Sequence, residues 1–246
     1  MNLVASRASH ASRAPAANSF YTISQRRVNT QLALWQHNLP HIKPYYAVKC
    51  NPEPQLMTWL AHGGAGFDCA SVREVKAVKQ VAYQAPIVFA NPCKRKDEVV
   101  MSAALGVRTT VIDSYEEVDK LCDVGWDDAS LIRIRVEDSG SIMPFSAKFG
   151  LDAGAVGPLA KYAAQKGQPI NGISFHVGSG CRDPQQYAAA ILQAAKAAAD
   201  VAAAGHTPTI IDIGGGFMTE GFDEAASIIR KSQAAFPQLQ FIAEPG

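Results

Sequence analysis

Eight short apolar runs alternate with segments of helical periodicity, and this alternation constrains the fold more than any other feature of the sequence. The runs occupy residues 45–50, 65–70, 86–91, 109–114, 131–136, 172–177, 209–214 and 240–245. Apolar runs of this length separated by helices predict parallel strands. Eight strand-helix repeats within roughly 200 residues predict an α/β fold of the (β/α)8 barrel type. A doubly wound open sheet is the alternative.

Helix-start signals follow two of these runs directly. Ser71 with Glu74, and Ser114 with Glu117, form the S-x-x-E pattern of a capping box. An Ala-rich segment, Tyr187 to Ala204, predicts a long helix that packs closely on the sheet. These signals fix the order of strand and helix locally.

The charge balance favours small-molecule chemistry. The chain has 23 basic and 22 acidic residues and a net charge of +1, which gives no footprint for nucleic acid or an anionic membrane. No apolar stretch approaches the roughly 20 residues that a membrane-spanning helix needs. We therefore expect neither a nucleic acid partner nor a membrane partner.

The five cysteines contain no C-x-x-C pair and fit a reducing cytosol, which predicts a cytoplasmic protein. Cys50, Cys69 and Cys93 stand near predicted strand ends, but no His, Cys or Asp set around them has the spacing of metal ligands. We expect small buried thiols at these three positions and no metal site.

The N-terminal segment differs in composition from the rest of the chain. Residues 1–18 are rich in Arg, Ser and Ala and have no carboxylate, since the first acidic residue is Glu53. Organelle transit peptides and flexible tails share this composition, and we favour the tail. The domain prediction is a tail at 1–18 and one barrel domain at 19–246, with a first helix at about 24–38.

Polar residues or glycines stand at the end of almost every predicted strand. In a barrel these ends share one mouth, where the chemistry takes place. The strand-end residues are Lys49, Asp68, Asn91, Asp113, His176, Gly214 to Gly216 and Glu244. Arg133 lies within the fifth strand and points inward or outward depending on register.

A lysine inside an apolar strand is a candidate nucleophile. Desolvation of its ammonium lowers the pKa and makes the amine available toward an aldehyde, so Lys49 is a Schiff-base candidate. The alternative is a strand-end lysine that reaches into solvent. Asp68 and Arg133 are costly to bury alone, and they either pair with each other structurally or form a polar wall near Lys49.

Glycines after the seventh and sixth strands predict an anion site. Gly214, Gly215 and Gly216 leave backbone N–H groups free to approach a phosphate, and barrels often bind phosphate in this region. Ser179, in the HVGSG segment, adds a hydroxyl beside them. The alternative is a tight turn between strand and helix.

Two further mouth residues have several possible roles. Glu244 is a general base, an ion-pair partner, or the carboxylate that keeps a pyridine nitrogen protonated. His176 is either a hydrogen-bonded core histidine or an imidazole that lies flat on a cofactor ring.

Six motifs in order, YYAVKCN, FDCAS, FANPCK, SFHVGSG, DIGGGF and EPG, closely resemble the ornithine decarboxylase family. The family belongs to the barrel-fold enzymes that use pyridoxal 5′-phosphate, and its barrel is TIM-like. The resemblance runs from about Ser19 to the last residue. It implies pyridoxal 5′-phosphate as the cofactor.

The resemblance also implies residue roles. Lys49 holds the cofactor as a Schiff base, Glu244 pairs with the pyridine nitrogen, and His176 stacks on the ring. Ser179 and Gly214 to Gly216 hold the phosphate.

Three more positions take roles from the same resemblance. Asp68 and Arg133 occupy polar positions near the cofactor, and Ala47 lines the pocket. The catalytic roles fall to Lys49, His176 and Asp68.

The implied reaction is decarboxylation of ornithine to putrescine, a step of polyamine biosynthesis, by an enzyme that is a homodimer in its full-length form. Lysine, arginine or diaminopimelate are alternative substrates. A non-catalytic homologue that regulates polyamine metabolism and a single-domain pyridoxal-phosphate carrier are alternatives of other classes. Retention of the lysine, glycine and carboxylate motifs favours the enzyme.

The sequence departs from the family at its end. In the family, an arginine that binds the phosphate follows EPG, and a β-domain then supplies a cysteine-aspartate pair. The sequence stops at Gly246, and this C-terminal β-domain is missing from it. We expect a truncated chain that holds the cofactor weakly and decarboxylates poorly alone.

Overall fold

Ten strands are present in the computed structural model, which describes residues 21–246. They are β1 (Ile42–Ala47), β2 (Gly66–Cys69), β3 (Ile87–Phe89), β4 (Thr109–Ile112), β5 (Ala129–Arg133), β6 (Ser141–Met143), β7 (Gly172–Ser174), β8 (Ser179–Cys181), β9 (Ile210–Asp212) and β10 (Gln240–Ala243). Eight of them form a closed parallel barrel in the order β1-β10-β9-β7-β5-β4-β3-β2. The short strands β6 and β8 pair antiparallel outside it.

Eight α-helices of the described chain surround the barrel. They are α1 (Gln25–Asn38), α2 (Pro54–His62), α3 (Val72–Val81), α4 (Lys96–Ala104), α5 (Tyr115–Asp123), α6 (Val156–Gln165), α7 (Gln185–Ala203) and α8 (Phe222–Gln233). A 3₁₀ turn at Ala153–Ala155 precedes α6. Among these described helices, none is long and apolar enough to cross a membrane.

Pairing of β1 with both β2 and β10 closes the barrel, which confirms the predicted fold and excludes the open sheet. Tyr45 lies opposite Gly66 on one side, and Ile42 lies opposite Phe241 on the other. The ring of helices closes in the same place, because α1 packs against both α2 and α8. The helix before the first strand therefore fills the position next to β10.

Two apolar layers follow from the alternation of side chains along the strands. Residues that face outward pack under the helices in one large core. Residues one position away point into the barrel and fill its interior. The interior cluster consists of Val88, Val111, Leu131 and Ile242, with Tyr45, Ala90 and Ile210 packed against it.

The strands end earlier than the apolar runs predict. The first strand ends at Ala47, so Lys49 follows it by two residues instead of closing it, and His176 lies two residues after β7. Arg133 is the last residue of β5. The apolar runs continue past the strands because residues such as Val48 and Val177 are buried in loops over the barrel end.

The two predicted capping boxes are only half correct. Ser71 and Ser114 accept hydrogen bonds from Glu74 N and Glu117 N, as expected of N-caps. The Glu74 carboxylate accepts from Ala70 N rather than from the cap residue. The Glu117 carboxylate turns away to two lysines, so the second box does not close.

Those lysines form a buried charged cluster, Lys94–Glu117–Lys120. The Lys94 side chain is fully buried, and its Nζ lies 3.0 Å from Glu117 Oε2. It also donates to Val111 O at 2.6 Å and to Asn91 O at 3.0 Å. Lys120 bonds the other oxygen of Glu117. The cluster ties the loop after β3 to β4 and α5.

Predictions on two other regions have different outcomes. Cys69 is buried, but Cys50 and Cys93 are exposed, so the expectation of buried thiols is wrong for those two. They stand in the loops at the barrel mouth rather than in the strands. The predicted tail at 1–18 lies outside the described residues.

We predict that Lys94→Ala lowers the free energy of unfolding by about 3 to 5 kcal/mol, because it removes one of the two cations of the buried Glu117 and the donor to two backbone carbonyls. Lys96→Ala is the matched control. Lys96 pairs with Asp123 on the surface, where both side chains are more than half exposed, so its loss costs about 1 kcal/mol or less. Urea denaturation followed by circular dichroism measures both values. Equal losses in the two variants would contradict a structural role for the cluster.

Candidate active site

The predicted catalytic and cofactor-binding residues meet at the carboxyl-terminal end of the barrel. β1, β2, β5, β7, β9 and β10 contribute them, either from their last residues or from the loops that follow. The set comprises Ala47, Lys49, Asp68, Arg133, His176, Ser179, Gly214, Gly215, Gly216 and Glu244. Parallel strands place these ends on one side, so residues far apart in sequence share one site.

Lys49 is held by a buried carboxylate. Its Nζ donates to Asp68 Oδ2 at 3.4 Å, and its side chain is about half exposed. Burial lowers the pKa of Lys49, but Asp68 and Glu244 together raise it further, and the net pKa lies above the usual value. The expectation of a lowered pKa is therefore wrong, because two carboxyl groups outweigh desolvation. With a pKa above its ordinary value, Lys49 is an ammonium at neutral pH.

Asp68 is buried and incompletely bonded. Burial and the nearby Glu244 raise its pKa to about 7, and Lys49 offsets part of that increase. Its Oδ2 accepts from Lys49, while Oδ1 has no hydrogen-bond partner among the described residues. A carboxyl with a pKa near neutrality gains or loses a proton easily at physiological pH.

Arg133, the last residue of β5, lies at the same end of the barrel. Its guanidinium carbon lies 5.1 Å above the ring of Phe149, a cation–π contact. Its charge lowers the pKa of Lys49, His176 and Glu244, which places it on the inward side of β5. The alternative of an Asp68–Arg133 ion pair is wrong, since Asp68 pairs with Lys49 and Arg133 packs on Phe149.

His176 has one fixed ring orientation. Its Nδ1 accepts a hydrogen bond from Gly178 N at 2.9 Å, so a neutral ring carries its proton on Nε2. The ring of Phe145 meets it edge-on with centroids 5.0 Å apart. Burial, then the charges of Arg133 and Lys49, lower its pKa to about 3. The imidazole is therefore uncharged and pinned from two sides.

Glu244 follows β10 and is buried against a second carboxyl group, Asp212 of β9. Gly214 links the two residues, because its N–H donates to Asp212 Oδ1 and its carbonyl accepts from Glu244 N. Burial first, and then the charge of Asp212, raise the pKa of Glu244 well above its ordinary value. Its Oε1 is buried without a hydrogen-bond donor among the described residues. A proton-bearing carboxyl at this position can donate to a ring nitrogen.

The glycine loop after β9 packs too closely for side chains. Gly214 and Gly216 have positive φ angles of 62° and 99°. A Cβ on Gly214 would lie 2.3 Å from Phe175 O, and one on Gly215 would lie 2.9 Å from His176 Nε2. The loop thus leaves a backbone surface beside the histidine.

Three hydrogen bonds fix the first two glycines of that loop. Gly214 N donates to Asp212 Oδ1 at 2.9 Å, and Glu244 N donates to Gly214 O at 2.7 Å. The hydroxyl of Tyr187, on α7, donates to Gly215 O at 2.9 Å. An ordinary strand-to-helix turn does not need two side chains to position its backbone. Here the Asp212 carboxylate and the Tyr187 hydroxyl both bond glycine backbone.

The segment around Ser179 borders the glycine loop. Ser179 begins β8, and Cys181 N donates to Gly216 O at 2.9 Å. A Cβ on Gly216 would lie 2.6 Å from Gly178 O. The two glycine-containing segments predicted for phosphate are therefore in contact.

Ala47 lies under the last residues of the chain. Its N–H donates to Pro245 O at 2.9 Å, and the alanine is buried. A Cβ built on Gly246 would lie 3.5 Å from Ala47 Cβ. A larger residue at position 47 would push against Gly246 at the edge of the site.

These features fit pyridoxal 5′-phosphate. The buried Glu244 oxygen without a donor suits a pyridine nitrogen, the backbone surface of Gly215 beside His176 suits an aromatic ring, and Lys49 suits the aldehyde. Residues that can hold the phosphate are Ser179 and Gly214 to Gly216. The individual roles of these residues stay predictions.

Sequence reasoning missed two residues here. Asp212 was not singled out, although a carboxylate inside the apolar run TIIDIG is costly to bury without a purpose. That cost was the available signal. Phe145, which fixes His176, carried no signal because it comes from the irregular segment between β6 and α6.

Comparison with known proteins agrees with this geometry. The family model described as "Pyridoxal-dependent decarboxylase, pyridoxal binding domain" matches residues 25–246. An ornithine decarboxylase of Schizosaccharomyces pombe is 35% identical over 233 residues, which cover 94% of this chain and 54% of that protein. The chain spans about half the length of the curated relatives it matches.

Solved structures are similar over the same range. The arginine decarboxylase of Paramecium bursaria Chlorella virus has a TM-score of 0.90 and 33% identity, over 100% of this chain and 68% of that one. The ornithine decarboxylase of Entamoeba histolytica has a TM-score of 0.81 and 33% identity, over 90% of this chain and 63% of that one.

We predict that Asp68→Asn gains stability relative to the parent as pH rises. The pKa of Asp68 is 3.8 as an ordinary aspartate and about 7 when folded. Between these values the folded state keeps a proton that the unfolded state loses, so the parent loses stability with rising pH, by at most about 1.4 kcal/mol per unit. Asparagine cannot ionise and escapes this loss. Urea denaturation between pH 4 and pH 7 measures the difference.

Asp97→Asn is the control of opposite sign. Arg95 lowers the pKa of the exposed Asp97 by a hydrogen bond and by its charge. Stability from that pair is lost as pH falls through the lowered folded pKa and is present above the unfolded value of 3.8. This variant therefore falls behind the parent as pH rises to about 4, and its deficit stays nearly constant between pH 4 and pH 7. An unchanged stability difference for Asp68→Asn across the range would show that Asp68 ionises normally.

Proposed function

This chain belongs to the pyridoxal-dependent decarboxylase family, and from that premise we propose that its barrel binds pyridoxal 5′-phosphate for the decarboxylation of ornithine to putrescine. The observation that carries the proposal is the meeting of one lysine, one neutral histidine, a protonated carboxyl and a glycine loop at one end of the barrel. Each group has a matching part of the cofactor. Sequence identity of 35% and 36% with two ornithine decarboxylases supports the choice of substrate.

Lys49 supplies the amine. It must lose a proton before it can attack an aldehyde, and Asp68 Oδ2, 3.4 Å away, is placed to accept it. Because the pKa of Asp68 is raised to about 7, this carboxyl can also return the proton. The exposed half of the Lys49 side chain leaves room for an amino acid substrate to approach.

The bound cofactor supplies an electron sink for the electrons released when the α-carboxylate leaves as CO₂. Glu244 serves this chemistry by presenting a proton where a ring nitrogen would lie. His176, neutral and fixed by Gly178 and Phe145, offers a flat apolar face that excludes water from one side of the ring. Arg133 adds positive charge on the side of Phe149, where it can attract a carboxylate.

Arginine is the second candidate substrate. It is favoured by the similarity to the viral arginine decarboxylase, which covers the whole of this chain. Both substrates carry an α-amino acid group, which the barrel residues would handle alike. Direct comparison of ornithine and arginine in the same assay decides between them.

We also propose that the full-length protein is a cytoplasmic homodimer. The balanced charge and the exposed thiols of Cys50 and Cys93 suit a reducing compartment. Exposed apolar side chains at Ile142, Met143 and Phe149 border the mouth and suit a subunit contact. Sedimentation of the full-length protein at twice the monomer mass is the expected result, and a monomer at micromolar concentration contradicts it.

The central prediction is that borohydride reduction with pyridoxal 5′-phosphate labels Lys49. The chain is incubated with the cofactor, reduced and mapped by mass spectrometry. Lys49→Ala should lose the label, whereas Lys43→Ala should keep it, because Lys43 is exposed on the same strand at the opposite end of the barrel. Release of CO₂ from carboxyl-labelled ornithine, arginine and lysine is measured in parallel.

Each outcome has a definite meaning. Label at Lys49 with CO₂ release from ornithine supports the whole proposal. Label at Lys49 with preferential CO₂ release from arginine shows that the substrate is arginine and not ornithine. Label spread equally over several surface lysines, and unchanged in Lys49→Ala, sinks the cofactor assignment.

A further inference from the structure

Asp212 is a buried titratable residue that the proposed chemistry does not use. It is fully buried on β9, between the glycine loop and Glu244. Its Oδ1 accepts from Gly214 N at 2.9 Å and its Oδ2 accepts from Ser174 Oγ at 3.3 Å. A buried carboxyl group with this many contacts is costly unless its position serves a purpose.

Asp212 and Glu244 are linked through Gly214, and they lie on or directly after neighbouring strands, with Asp212 opposite Ile242. Glu244 N donates to the carbonyl of Gly214, whose own N–H donates to Asp212 Oδ1. Two carboxyl groups form a hydrogen bond only when one of them keeps its proton. Because both groups are buried close together, the pair is favoured when one carboxyl keeps its proton and offers it to the other.

We propose that Asp212 is a positioning residue that shares one proton with Glu244 and keeps it available to the ring nitrogen of the cofactor. The proposal rests on the proposed function for the identity of that ring. The donors from Gly214 and Ser174 stabilise negative charge on Asp212, so the proton resides on Glu244. Asp212 thus sets the protonation of Glu244 and, through Gly214, ties it to the glycine loop.

Other ionisable groups face the pair, and they act in different directions. They are Tyr45, Lys49, Asp68 and Arg133. The two cations lower the pKa of Glu244, whereas burial and the charge of Asp212 raise it. Loss of Asp212 removes the strongest charge that opposes ionisation of Glu244.

The test follows the carboxyl carbons of the cofactor-free chain by NMR, with ¹³C in the side-chain carboxyl of glutamate or of aspartate. The Glu244 signal is assigned with Glu244→Gln, and the Asp212 signal with Asp212→Asn. In the parent, each carbon should show two inflections, because ionisation of one group is felt by the other. In Asp212→Asn the Glu244 midpoint should fall by about one pH unit or more.

Asp119→Asn is the matched control. It makes the same substitution on the surface, where Asp119 bonds Tyr162 and Lys166. The Glu244 titration should not change in it. A second readout is the affinity for pyridoxal 5′-phosphate against pH, since above the new Glu244 midpoint the proton must come from solution. Affinity of Asp212→Asn should then fall about tenfold per pH unit relative to Asp119→Asn.

An unchanged Glu244 midpoint in Asp212→Asn overturns the inference, even when Lys49 is still labelled by the cofactor. Failure of the cofactor to label Lys49 in the parent instead overturns the proposed function. The NMR titration then still tests whether Asp212 and Glu244 share a proton. If Asp212→Asn does not fold, the titration curves of Asp212 and Glu244 in the parent test the inference. Two independent single-step titrations there would contradict a shared proton.

Discussion

Pairing of β1 with β10 is the constraint on which the site depends. It joins the first and last strands of the chain, with Ile42 opposite Phe241 and Pro44 opposite Ala243. The contact continues beyond the strands, where Ala47 N donates to Pro245 O. Lys49 and Glu244 are thereby close enough for Glu244 to raise the pKa of Lys49. In an open sheet these strands would lie at opposite edges.

The charges gathered by this closure balance one another imperfectly. Three buried carboxyl groups, Asp68, Asp212 and Glu244, lie near two cations, and burial raises the pKa of all three. Oxygens of Asp68 and Glu244 have no hydrogen-bond donor among the described residues. Buried carboxyl groups without donors lower the stability of the fold, and such groups are typical of active sites. In the Lys94 cluster, Glu117 Oε2 also lacks a hydrogen bond within the described chain, but it lies 3.0 Å from the Lys94 ammonium, so its charge is paired within the protein.

The architecture could be predicted from the sequence because it depends on features that repeat. Apolar runs of strand length recur eight times, and a serine precedes each of α3 and α5 as its N-cap. Strand ends could not be predicted, since buried loop residues such as Val48 and Val177 are as apolar as strand residues. The direction of the Glu117 side chain also could not, because its partner Lys94 belongs to another repeat.

The candidate site, too, could be predicted only in part. Its members could be identified from strand-end positions and motifs, but their charge states depend on distances across the barrel. Lys49 alone in an apolar strand would have a lowered pKa, and only the positions of Asp68 and Glu244 reverse that direction. Asp212 escaped notice because its role arises from contact with Glu244, which follows a different strand.

The hydrogen bond from Gly178 N to His176 Nδ1 has a consequence for how this site responds to its surroundings. With a pKa of about 3, the imidazole keeps one charge state and one tautomer from mildly acidic to alkaline conditions. The residue type usually responsible for pH sensing in proteins is silent here. Sensitivity of the barrel mouth to acidity therefore belongs to its carboxyl groups, and the surface offered to an aromatic ring stays the same whatever compartment the protein occupies.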